Sequence, residues 1–175
     1  MKRYLGQLMY VSDHEEIKHT VIELDNQSCV SCLIPLSFVS VEPEATIFID
    51  GVITPCPVSI HEKTASLLKK PDLSGYNYIV VSNDSSLPDN LPSGLPLILD
   101  FGSSDVRLIS KYLAKCAGWN LSLSEFFNAC IFNPAKVLNI NADIRTGVKV
   151  NLIHWQNVDV VSKKLTTFTK LVELA

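Results

Sequence analysis

The chain has 175 residues, enough for one domain whose core needs no disulfide or metal staple. Hydrophobic residues make up 47% and charged residues only 19%, a balance that leaves the surface sparsely charged and points to a homo-oligomer. The net charge of −3 excludes the electrostatic footprint that nucleic acid or an anionic membrane surface would require.

Lys2 and Arg3 open the chain, but Gln7, Ser12 and Asp13 interrupt the apolar run that a signal peptide needs, and no stretch approaches the length of a membrane span. The expected compartment is cytoplasmic. The cysteines, at positions 29, 32, 56, 116 and 130, are odd in number and widely spread, so they read as free thiols rather than a secreted disulfide framework.

In chain order, residues 3–11 and 17–24 carry apolar side chains at strand spacing on either side of the polar bend Ser12 to Glu16, and predict a hairpin. Residues 29–38 predict a third strand, in which Pro35 marks a bulge or an edge. Residues 46–50 and 52–54 flank Asp50-Gly51, the strongest tight-turn signal in the chain. Residues 61–70 have helical spacing and stop at Pro71, 78–82 reads as a short buried strand, and 83–96 is a loop rich in Pro, Asn, Asp, Ser and Gly. Residues 105–117 predict a helix capped at Ser103-Ser104 and closed by Gly118. A second helix starts at Ser122 or Ser124 and runs to Ile131, and a third, short one has Pro134 in its first turn and reaches Leu138. Strands return at 152–155, 158–161 and 166–174. The order is β, then α/β, then β.

Few residues carry recognisable chemistry. Cys29-Val30-Ser31-Cys32 has redox spacing, but its first thiol lies in a β-rich run instead of at a helix N-terminus, and no second pair completes a zinc site. His14, His19 and His154 read as surface or packing residues. Gly102-Ser103-Ser104 could present backbone N–H groups to an anion, although most such runs are caps. Asn83-Asp84 follows an apolar strand, where a parallel barrel would carry a catalytic carboxylate, and the same Asn-Asp-Ser-Ser run also suits a turn. The large glycine-rich nucleotide and nucleophile-elbow motifs are missing from the sequence.

Two stretches together resemble the metal-dependent amidohydrolase superfamily, including its N-acetylglucosamine-6-phosphate deacetylase, dihydroorotase and chlorohydrolase-like branches. The first is Thr46-Ile47-Phe48-Ile49-Asp50-Gly51-Val52-Ile53-Thr54-Pro55, followed by Val58 and His61. The second runs from Leu121-Ser122-Leu123-Ser124-Glu125 through Asn133-Pro134-Ala135-Lys136 to Ile144, Gly147 and Asn151-Leu152-Ile153. The resemblance implies a small β-sandwich built from both chain ends, residues 1–55 with 141–175. It also implies an α/β remnant of a (β/α) barrel with about three helices over residues 56–140.

The resemblance further implies a divalent metal, zinc or iron, held by a His-x-His pair at the end of the first barrel strand. Here that run is His61-Glu62-Lys63, so an ammonium stands where a neutral nitrogen ligand is needed. Only about 20 residues separate His61 from Asp84, which resembles the family's final-strand aspartate, whereas a whole barrel takes roughly 250. The expected function is therefore a degenerate, non-catalytic relative without a cofactor that binds a small molecule or a protein. Asp84, Asn83, Gly102, Ser103 and Ser104 are its candidate site. The alternatives are a hydrolase completed across an oligomer, with His61 and Asp84 of different chains sharing a metal, and a structural subunit.

Overall fold

The computed structural model describes residues 1–38, 45–60, 78–82 and 96–174. The architecture is mixed α/β and mostly β. A six-stranded sheet has the order β3-β2-β1-β4-β7-β8, formed by β1 (Lys2–Tyr10), β2 (Glu16–Leu24), β3 (Val30–Pro35), β4 (Thr46–Pro55), β7 (Leu152–Gln156) and β8 (Lys170–Glu173). Strands from both ends of the chain thus share one sheet. β5 (Ile79–Ser82) and β6 (Leu97–Asp100) form a separate parallel pair. No helix among the described residues is long and apolar enough to cross a membrane.

The sheet is buried on both faces, and alternation along its strands explains how. Leu8, Tyr10, Val52, Ile153 and Trp155 join the cluster that includes the helices, while Met9, Val11, Ile53 and Leu152 join a second cluster with Ile144 and Val150. β3 lies at the sheet edge, so Pro35 falls where its missing N–H costs least.

Three readings change. Asp50-Gly51 makes no hairpin turn: β4 runs straight through it, and the step from Ile49 to Val52 matches the shorter step from Gly6 to Leu8 in β1. This is a bulge, made possible because Gly51 adopts φ +128°. Residues 105–117 form two short helices, α1 (Val106–Ile109) and α2 (Leu113–Gly118). Between them the Ser110 hydroxyl donates to the Val106 carbonyl at 2.7 Å and tighter turns replace helical ones. Residues 158–161 form a turn instead of a strand, because the Asp159 carboxylate accepts from the Val161 and Ser162 amides at 3.0 and 2.9 Å. The strand β6 was not anticipated. The helix expected at 61–70 and the loop at 83–95 lie outside the described residues.

The continuous helical run is the best illustration of sequence acting through local physics. Ser122 opens α3 (Leu123–Phe127) with a full capping box, its Oγ accepting from the Glu125 amide at 3.2 Å while Glu125 accepts from the Ser122 amide at 2.8 Å. Ser122→Ala should therefore cost about 1 kcal/mol in a urea titration. A π turn (Asn128–Phe132) leads into α4 (Asn133–Val137). Because Pro134 has no N–H, the Cys130 carbonyl four residues earlier has no α-helical donor. The Val58 amide takes it at 2.9 Å, which ties the segment after β4 to the helices.

Ion pairs stitch the periphery. Lys163 bonds Glu16, Arg3 bonds Glu23 at 2.7 Å, and Lys136 bonds Asp13 in the β1–β2 bend. The Lys163 hydrogen bond holds the Glu16 carboxyl below its ordinary value; Arg3 does the same for Glu23, and Ser122 for Glu125. A depressed folded-state pKa contributes stability above the unfolded value of about 4.5 and loses it as pH falls through the folded value. The urea midpoint should accordingly fall as pH drops below about 4.5, and Glu16→Gln should flatten part of that slope.

Candidate functional site

The C-terminal end of β4 is shaped by its prolines. Pro55 ends the strand and Pro57 cannot donate to a ladder, so the chain leaves the sheet after one last rung, Cys56 amide to Asn151 carbonyl at 2.9 Å. Its departure opens a cleft of about 430 Å³, walled by Pro55, Cys56, Pro57 and Val58 on one side and by residues 140–142 and 149–151 on the other. Ser104 completes the lining, and its carbonyl accepts from the Cys56 thiol at 3.5 Å. The walls are anchored by backbone hydrogen bonds at both Cys56 and Val58, so the cleft is largely pre-formed.

A second polar group sits at the end of β6. Asp100 is buried, and one carboxylate oxygen accepts from the Ser59 hydroxyl at 2.9 Å and the Gly102 amide at 3.0 Å. It ends β6, the parallel neighbour of β5, the strand that Asp84 follows in the sequence. The signal was present as the run Leu97-Ile98-Leu99-Asp100, an apolar strand ending in a carboxylate.

Asn83, Asp84, His61 and Lys63 lie outside the described residues. Of the anion-binding run, the Gly102 amide is directed to Asp100, and the Ser103 hydroxyl accepts from the Asp105 amide at 3.0 Å. Asp105, not Ser103 or Ser104, caps α1. Only Ser104 of that run lines the cleft. Neither the family models nor the curated proteins searched match this chain.

His154, Cys29, Cys32, Cys116 and Cys130 do not line the cleft. His154 is buried in β7, and its Nε2 donates to the Asp50 carbonyl at 2.8 Å, under the bulge at Gly51. The backbone of Cys29 pairs with that of Lys149 in an isolated β-bridge, and Cys32 lies on the edge strand β3 opposite Glu23, neither of them at a helix N-terminus. Burial pushes the Cys116 thiol up to about 12 and that of Cys130 well above its ordinary value, so both stay protonated in the core. Among the described residues, no three His, Cys, Asp or Glu side chains gather as a metal's donor set.

The Asn-Pro-Ala-Lys run that carries the resemblance has a mechanical role. Asn133 donates to the Leu97 carbonyl at 2.8 Å, Ala135 is buried, and Lys136 reaches Asp13. One short helix thereby ties β6 to the bend between β1 and β2.

Proposed function

We propose that this chain is a small-molecule-binding domain built on a degenerate, non-catalytic amidohydrolase-type frame. The frame comprises a composite β unit from residues 1–55 and 141–175 and an α/β barrel remnant from residues 56–140. The ligand sits in the cleft where the two units meet. The observation that carries this reading is the cleft itself. Its walls are the segment leaving β4 and the segment re-entering the sheet before β7, both held by backbone hydrogen bonds, so a ligand would find a rigid, half-apolar surface. Lys63, in place of the second metal histidine of the resembled family, supports binding without turnover.

A fragment screen by ¹H–¹⁵N NMR on the full chain tests the reading. Compounds that bind should move the amide signals of Cys56, Val58, Asn141 and Asn151 together. Stoichiometric zinc or iron in the purified protein, lost in His61→Ala, would overturn the non-catalytic part.

A further inference from the structure

Resting on that reading of the cleft, we infer its ligand class: a small carboxylate with an apolar body, whose charge pairs with Lys149. The placement of Lys149 follows from the backbone. Val30 donates to the Val148 carbonyl at 2.9 Å and Val150 to the Ser28 carbonyl at 3.1 Å, so residues 148–150 run extended beside the start of β3. Val148 and Val150 pack on the second core cluster, so alternation turns the Lys149 side chain to the opposite, exposed face of this segment, and Lys149 is among the residues that line the cleft.

Among the described residues, Lys149 is exposed, forms no ion pair and is the one charged side chain that lines the cleft. Its polar neighbours offer donors. The Asn141 side-chain oxygen already accepts from the Asp143 amide at 3.0 Å, which leaves its NH₂ as a donor, and Asn151 also lines the cleft. An anion is therefore met by one full charge and by amide N–H groups, with no carboxylate among the described lining residues to repel it. A cation would face Lys149 with no counter-charge. A single lysine balances a single charge, and Pro55, Val58 and Ile140 supply the apolar wall for the rest of the molecule.

Two matched pairs of probes isolate the charge: hexanoate with hexanamide, and phenylacetate with phenylacetamide. In titrations of the ¹⁵N-labelled full chain, each acid should bind about threefold to fivefold more tightly than its amide and shift the cleft signals. That preference should vanish in Lys149→Gln, return in Lys149→Arg, and shrink in high salt. Because Lys149 is exposed, both variants should keep the wild-type thermal midpoint, which is measured alongside. Amides that bind as tightly as their acids, or a preference that survives Lys149→Gln, would overturn the ligand class and leave the binding role standing. If neither these probes nor the fragment screen moves the cleft signals, both fall.

Discussion

Gly51→Ala is expected to destabilise the protein by at least about 3 kcal/mol, read as a lower urea midpoint by circular dichroism. A Cβ at this position would lie 2.3 Å from the Trp155 carbonyl oxygen, and that atom is backbone in a paired strand, so it cannot swing away. The φ of +128° adds strain that any L side chain must carry. Gly147 provides the control. It also has positive φ, +83°, yet nothing lies within 4 Å of its would-be Cβ, so Gly147→Ala should cost only the strain, about 1 kcal/mol. Equal losses in the two variants would show that the close approach of β7 to β4 is not what Gly51 protects. The effect reaches the cleft, because the pairing of Val52 through Pro55 with β7 is what brings Asn151 against Cys56.

Trp155→Ala should cost about 3 to 5 kcal/mol, a large part of a typical domain's 5 to 15. The indole is fully buried, with ring centroids 4.9 Å from Phe127 and 5.6 Å from Phe126, and its Nε1 donates to the Thr54 hydroxyl at 2.8 Å. Thr54 in turn donates to the Pro55 carbonyl at 2.7 Å, so this bond links the core to the residue that ends β4. Trp155→Phe keeps most of the packing and should lose about 1 to 2 kcal/mol. If Trp155→Ala unfolds no more easily than Trp155→Phe, the aromatic cluster is not what joins sheet to helices.

Much of the local structure was legible because it depends on near neighbours. The alternation of residues 3–11 and 17–24 gave β1 and β2, Ser122 was one of the two expected helix starts, and Pro35, read as a bulge or an edge, lies on an edge strand. The failures have different causes. Asp50-Gly51 has turn composition, but Gly51 is there because a strand from the far end of the chain passes too close for a Cβ, and no local window contains that strand. Residues 158–161 are apolar enough for a strand, yet the Asp159 carboxylate captures the next amides first. The short β6 was hidden behind the polar composition of the loop before it.

The candidate site was less legible because, like the bulge at Gly51, it joins segments far apart in the chain. Ser104 was singled out for its backbone at a helix start, and it is in the cleft as a wall. Lys149 and Asn141 carry no motif, and Asn151 entered only as part of the resembled tail; they meet Cys56 and Val58 only once the chain ends share a sheet.

By itself the sequence determined the alternation of β1 and β2, the helix start near Ser122, and the proline at position 134 that frees the Cys130 carbonyl, because each is set by covalent neighbours within a few residues. The tertiary structure alone decided which group takes that carbonyl, why position 51 must be glycine, and which way Lys149 points. Those outcomes depend on segments roughly 70 to 120 residues apart brought within hydrogen-bonding distance, where sheet pairing and core burial outweigh local preference.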